Sequence, residues 1–166
     1  VYGLSDFGLS RDLDIPMAEA KNYIEKYFAR YPKIRTWIDN TIMEAKKNLK
    51  VYTITGRYRL LSDLKSSQYQ VRAAAERMAM NAPVQGTAAD MIKMAMIRVD
   101  KRLKQEELES KVVLQVHDEL IVEVEPLELE TIKKLIKEEM AAAMPLSVPL
   151  EVDLKVGSNW FAVEEV

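Results

Sequence analysis

Residues Val112 to Val124 read V-V-L-Q-V-H-D-E-L-I-V-E-V. Two apolar runs of strand composition enclose His117, Asp118 and Glu119, so the stretch reads as a hairpin turning on three ionisable side chains. A surface turn more often uses Asn-Gly or Asp-Gly, which accept positive φ cheaply. His117 is the single histidine of the chain, and it sits beside two carboxylates at the tip of an apolar ribbon. That arrangement marks a candidate site. A merely solvated acidic turn is the competing reading, and the segment alone weighs the two evenly. Two-residue alternation places Val112, Leu114 and Val116 on one face, and Val113, Gln115 and His117 on the other. Gln115 is therefore expected to point the same way as His117, and Asp118 to reach outward. One aspartate is a poor magnesium site, because that ion takes one or two carboxylates together with water and substrate phosphates. Glu119 is adjacent, but neighbours on a strand point to opposite sides, so a further carboxylate from elsewhere is needed.

Working outward, Pro126 opens a helix with Leu129, Ile132, Leu135 and Ile136 inward. Beyond it, Leu150, Val152, Leu154 and Val156 alternate with Glu151, Asp153 and Lys155 in strand period. The expected class is α+β: an antiparallel sheet made of the hairpin 111–125 and a strand over 149–156, packed with helices. A mostly helical segment precedes it. There Pro16 opens a helix with Ala20, Tyr23, Ile24, Tyr27 and Phe28 on one face, and Pro32 breaks it. A second helix follows, with Ile34, Trp37, Ile38, Thr41, Ile42 and Ala45 on its inner stripe. Residues 51–61 read as a small hairpin turning near Gly56. A helix over 68–80 is expected to be interrupted by Pro83 and to resume from about Thr87 to Lys104.

Bulk properties narrow the classes. The chain has 166 residues, 48% of them hydrophobic, enough for one compact domain or part of a larger one. It has no cysteine, which excludes disulfides, zinc–thiolate sites and cysteine nucleophiles. No apolar run approaches membrane-spanning length and no signal peptide is visible, so no membrane association and a cytoplasmic location are expected. The first residue is Val1 rather than methionine, which suits a processed or excised piece. The net charge of −2 hides an asymmetry. Residues 106–166 hold 15 acidic and 5 basic side chains, a local charge of −10. Residues 1–105 hold 11 acidic and 19 basic ones, a local charge of +8. A basic half suits a polyanion; ordinary charged surface explains the numbers as well.

A second constellation lies in residues 72–90, R-A-A-A-E-R-M-A-M-N-A-P-V-Q-G-T-A-A-D. Arg77, Asn81 and Gln85 are spaced by four, which sets them along one helix face, approximately so because of Pro83. Their donors suit the acceptors of a nucleic-acid minor groove, where the base pairs look nearly alike. A polar helix face kinked at Gln85-Gly86 is the plainer reading, and spacing alone favours it. Arg57 and Arg59 alternate with Tyr58 beside the Gly56 turn and suit phosphate contacts, although exposed arginines on a hairpin are common. The nine methionines read as adaptable core filling.

Taken together, these motifs resemble a known family. V-H-D-E-L between two apolar strands resembles motif C of the family A, DNA polymerase I-like, DNA polymerases. A-E-R-x-A-x-N-A-P-V-Q-G-T-A-A-D resembles that family's helices bordering primer-template DNA. The opening V-Y-G-L-S resembles the end of the fingers helix, and T-G-R-Y-R and the terminal V-G-x-N-W fit as well. The resemblance covers essentially the whole chain in the right order. It implies template-directed, magnesium-dependent nucleotidyl transfer from a dNTP to a primer 3′-hydroxyl, with primer-template DNA and dNTP as partners. It implies Asp118 as one of two aspartates holding the Mg2+ ions of a two-metal site, and Glu119 as a secondary carboxylate. His117, with Gln115 beside it, would touch the primer terminus, while Arg77, Asn81 and Gln85 would sense the minor groove. Tyr2 would lie beside the templating base with Gly3, Ser5 and Phe7 nearby, and Arg59 and Arg57 would contact backbone phosphates. On this resemblance residues 1–66 are the C-terminal part of the fingers and 67–166 the C-terminal part of the palm.

The family's other metal-binding aspartate lies in a D-Y-S-Q-I-E-like stretch, and no such stretch occurs here; nor do the basic residues of the fingers helix that grip the triphosphate. The remainder of the polymerase is thus an implied partner, and the chain alone is expected not to extend primers. Two rivals are a non-catalytic DNA-binding relic and a metal-dependent phosphohydrolase using His117 and Asp118. The second needs further histidines that the chain lacks.

Overall fold

The computed structural model describes residues 3–166, so Tyr2 lies outside the described residues. The chain forms two compact units, residues 1–87 and 88–166.

In the first unit, helix α1 spans Asp6–Leu13, α2 Met17–Arg30 and α3 Pro32–Asn48. Helix α1 was not expected from the sequence. Its signal is Ser5, whose Oγ accepts from the Gly8 N–H at 3.1 Å as the N-cap. Pro16 caps α2, and Pro32 opens α3 at its first turn, where a missing N–H costs nothing. On α3, Ile38 and Ala45 are buried as expected, but Trp37 is exposed. At 100° per residue Trp37 and Ile38 cannot both face the core, and the smaller side chain does. Strands β1 (Lys50–Tyr52) and β2 (Tyr58–Leu60) form the expected hairpin, with Val51 opposite Arg59 and Gly56 in its turn at φ +87°. The core of the unit gathers Ala45, Val51, Leu61 and Leu64 against Ala75 and Ala79.

Those two alanines belong to α4, Tyr69–Gln105. The helix continues through Pro83, which corrects the expected interruption between residues 80 and 87. A proline inside a helix loses one backbone bond and strains the preceding turn, at about 3 kcal/mol. Here the preceding turns are fixed by the burial of Ala75 and Ala79, and the Thr87 hydroxyl donates to the Pro83 carbonyl at 2.6 Å. Gly86 adds a reason of shape. A Cβ on it would lie 2.6 Å from Thr53 Cγ2, so its bareness lets the hairpin approach the helix. In contact with that surface, Thr87 Oγ1 accepts from the Ile54 N–H at 3.1 Å, and Arg57 Nη2 donates to the Gly86 carbonyl at 3.0 Å. Thr87→Val is expected to destabilise this unit by about 1–3 kcal/mol, because it orphans the Ile54 N–H and the buried hydroxyl's bonds. Urea unfolding of the variant checks this, and an unchanged midpoint would refute it.

In the second unit, β3 (Lys111–Val116) pairs antiparallel with β4 (Glu119–Glu123), as expected for the hairpin 111–125. Helix α5, Leu129–Ala141, follows a 3-10 turn opened by Pro126. It buries Ile132 and Leu135 against Val99 and Leu103 of α4, with Val112, Leu120 and Val122 packed around them. Two details differ from the expectation within the same α+β class. The strand expected over 149–156 is limited to β5, Lys155–Gly157, and it pairs with β6, Val163–Glu165, instead of joining the hairpin. Every sheet among the described residues is two-stranded. Alternation shows that a segment can be a strand but not which edge it finds.

The second detail is a bulge. The register runs Val112 opposite Val122 and then Leu114 opposite Ile121, leaving Val113 unpaired. One extra residue reverses the faces beyond it. Leu114 is therefore not on the face of Val112 as alternation predicted, and it is exposed while Val112 packs on the core.

At the base of this hairpin, Glu128 accepts from the backbone N–H of Glu109 and of Ser110 at 2.9 and 3.0 Å, and from Ser110 Oγ at 2.6 Å. Ser110 Oγ accepts in turn from the Glu125 N–H at 3.0 Å. The Ser110 hydroxyl, then the backbone donors, hold the Glu128 carboxyl below its ordinary value. A depressed folded-state pKa means stability that is present above the unfolded value, about 4.5, and lost as pH falls through the folded one. Glu128→Gln is expected to flatten the acid limb of the stability profile below about pH 4.5. Denaturation midpoints against pH test this, and parallel limbs in the two proteins would contradict it.

Candidate functional site

The hairpin tip is a two-residue turn. Val116 pairs with Glu119, and His117 and Asp118 span the gap. His117 has φ +51°, a left-handed conformation costing a non-glycine residue about 1–2 kcal/mol. Gln115 Nε2 donates to the His117 carbonyl at 2.6 Å, closing the turn with a side chain from the preceding strand. Gln115 and His117 are thus brought together as the sequence suggested, although the link runs to the backbone of His117. The imidazole, the Asp118 carboxylate and the Glu119 carboxylate are all exposed at the tip. No group of three or more His, Cys, Asp or Glu side chains among the described residues is arranged to hold a metal ion. Asp118 and Glu119 are hard oxygen donors of the type magnesium takes, but too few to complete a site.

In the first unit the continuity of α4 makes the four-residue spacing of Arg77, Asn81 and Gln85 real, since no break at Pro83 rotates one against another. Arg77 and Gln85 are exposed and Asn81 is half-buried. The Asn81 Oδ1 is buried without a hydrogen-bond partner among the described residues, an acceptor left unsatisfied. Gly3 packs on the same helix: a Cβ there would stand 3.0 Å from Arg77 Cγ and 2.6 Å from Met80 Cε. Its φ of +79° is the left-handed region, so a side chain would be strained as well as crowded. Gly3 and Ser5 also line an open cavity of about 640 Å³ with residues of α1, α2 and α3, while Phe7 projects from α1, largely exposed. Arg59 is exposed on the hairpin face that Val51 shares, and Arg57 gives one donor to Gly86.

Residues that sequence reasoning gave no role are Thr87 and the Ser110–Glu128 pair, while Gly86, read as a kink, makes room for Thr53. Thr87 and Gly86 lie inside the quoted motif, and a small residue beside a hydroxyl in mid-helix was the available signal. Nothing local marks Glu128, because its partners are 18 and 19 residues away.

The class is α+β, with a row of side-chain donors in the first unit and a carboxylate-bearing turn in the second. The family model for "DNA polymerase family A" matches residues 1–162. DNA polymerase I of Caldicellulosiruptor bescii is 48% identical over 161 residues, covering 97% of this chain and 19% of that protein. The thermostable DNA polymerase I of Thermus aquaticus is 46% identical over 165 residues, covering 99% of this chain and 20% of that protein. The solved polymerase domain of Pol1 from M. smegmatis, in complex with DNA primer-template and dNTP, superposes with a TM-score of 0.88 at 48% identity. That match covers 90% of this chain and 26% of the solved one. The chain belongs to DNA polymerase family A. It spans about a fifth of the length of the curated relatives it matches.

Proposed function

We propose that this chain is part of a template-directed DNA polymerase that transfers nucleotides from dNTP to a primer 3′-hydroxyl. The observation that carries the reading is the His117-Asp118 turn. A non-glycine residue takes the left-handed conformation of the turn, Gln115 donates to its carbonyl, and Asp118 is presented outward beside it. Such strain is retained where the surroundings fix it, and it concentrates at functional sites.

In this reading Asp118 supplies one carboxylate to the magnesium ions, with Glu119 secondary. The ions, when bound in the complete enzyme, make the primer hydroxyl a better nucleophile and stabilise the leaving pyrophosphate. His117 and Gln115 lie against the primer terminus. Arg77, Asn81 and Gln85 read minor-groove acceptors through their side-chain N–H groups, the four-residue spacing on continuous α4 supporting one stripe. Tyr2, Gly3, Ser5 and Phe7 border the templating base; the open cavity lined by Gly3 and Ser5 supports that placement. Arg59 and Arg57 face backbone phosphates. Residues 1–66 belong to the fingers and 67–166 to the palm, and the protein works on DNA in the bacterial cytoplasm. Among the described residues no helix is long and apolar enough to cross a membrane.

The donor set is half of a two-metal site. The 166-residue chain alone is therefore expected to show no magnesium-dependent primer extension, whereas the full-length polymerase does. Extension by the isolated chain would refute the half-site. The second reading is a DNA-binding module without catalysis, which keeps the Arg77, Asn81 and Gln85 stripe on α4. Addition of the missing portion bearing the second aspartate separates the two, since only the catalytic reading predicts restored synthesis.

A further inference from the structure

The β1–β2 hairpin has two faces with different tasks. Val51 and Arg59 are register partners, and Val51 is buried in the core of the first unit. By alternation Lys50, Tyr52, Tyr58 and Leu60 share the opposite face, where Tyr52 pairs with Tyr58 and Lys50 with Leu60. That face is open: Tyr52 is 47% exposed, Tyr58 59% and Leu60 70%. The two rings stand 6.2 Å apart at 60°, and the Lys50 ammonium lies 5.3 Å from one centroid and 5.6 Å from the other.

A cross-strand tyrosine pair that only stiffens the hairpin is the plainer explanation, worth about 0.2–1 kcal/mol. The hairpin, however, is already held from its inner side by Val51, by the Ile54–Thr87 bond and by the Arg57–Gly86 bond. The outer tyrosines add little to that docking. The sequence around them is also one-signed. From residue 45 to residue 62 the chain carries Lys46, Lys47, Lys50, Arg57 and Arg59 and no acidic side chain. Lys46 is paired with Glu76, Arg57 is engaged at Gly86 and Arg59 lies on the Val51 face, so Lys50 is the basic side chain at the two rings.

We propose that this outer face binds single-stranded DNA, with unpaired bases stacking on Tyr52 and Tyr58 and Lys50 meeting the phosphates. Aromatic faces beside basic side chains bind single strands with little regard to sequence, because every base offers a π-face. Between its two ends a duplex keeps its base faces stacked inside and offers such a platform only phosphates. The choice of DNA rests on the polymerase reading above; the platform itself rests on the register, the exposure and the charge.

Fluorescence anisotropy of a labelled thymidine strand of about a dozen nucleotides, against a blunt duplex of the same length, tests the proposal on the 166-residue chain. The double variant Tyr52→Leu/Tyr58→Leu keeps an apolar cross-strand pair but removes the π-faces. It is expected to weaken single-strand binding at least about 10-fold and to leave blunt-duplex binding within about twofold. Tyr52→Phe/Tyr58→Phe is expected to bind like the unaltered chain. Should the leucine variant misfold by circular dichroism, photocrosslinking of an iodouracil-bearing single strand to the unaltered chain decides, with adducts expected on Tyr52 or Tyr58. Equal single-strand binding by a folded leucine variant, adducts only elsewhere, or no single-strand binding by the unaltered chain would overturn the proposal. Loss of blunt-duplex binding by the unaltered chain would count against the polymerase reading instead, whatever the single-strand result.

Discussion

Asp118→Ala in the full-length polymerase is expected to lower kcat by about 10³-fold or more while leaving the fold intact. A metal ion at a developing charge contributes several kcal/mol to the transition state, and each 1.36 kcal/mol is tenfold in rate. Asp118 is exposed at the second position of a two-residue turn whose shape is set by the His117 backbone and the Gln115 amide. The turn therefore does not depend on the Asp118 carboxylate. Primer-template affinity is expected to change little, because the basic and amide side chains assigned to DNA are untouched. Single-turnover extension at saturating dNTP, with a parallel DNA-binding titration, reads both quantities. Full activity in the variant would remove Asp118 from the metal site. A collapse of DNA binding equal to the loss of rate would assign it a binding role instead.

Leu135→Ala is expected to destabilise the second unit by about 3 kcal/mol, within the usual 2–5 kcal/mol for truncating a buried leucine. Leu135 is 1% exposed, and its core companions Ile132, Val99 and Leu103 are as fully enclosed. They sit between α4 and α5, so the cavity cannot close without moving a helix. Ion pairs from Arg102 to Glu138 and Glu139, at 2.7 and 3.2 Å, and from Arg98 to Glu139, at 2.8 Å, bind the same two helices. These are partly solvated and contribute modestly. Val112, Leu120 and Val122 of the hairpin pack on this cluster, so its loss also loosens the support of the turn bearing Asp118. Hydrogen exchange of the 111–123 amides together with urea unfolding measures both effects. A shift below about 1 kcal/mol would show that the core repacks around the gap.

The same hairpin shows how far a sequence can be read. V-H-D-E-L between apolar runs located the turn to within one residue, since Glu119, expected in the turn, already pairs with Val116. The left-handed φ of His117 belongs to the two-residue turn itself, whereas the Gln115 amide that donates to its carbonyl was not legible, since that bond depends on side-chain placement. Spacing by four placed Arg77, Asn81 and Gln85 on one stripe, and doubt about Pro83 was the only obstacle. The intrinsic preference of Pro83 is opposed by the burial of Ala75 and Ala79, which lies outside any local pattern.

By itself the sequence determined the α+β class, the hairpins over 51–61 and 111–125, the helix openings at Pro16 and Pro32, and the core residues Ile132 and Leu135. All of these follow from interactions within a few residues, where period, capping and turn chemistry act. Tertiary structure alone decided the bulge at Val113, the passage of α4 through Pro83, the pairing of β5 with β6, and the fit of Gly86 under Thr53. Each of these depends on a partner distant in sequence, and the free energy of such a contact is not written in the local pattern of either segment.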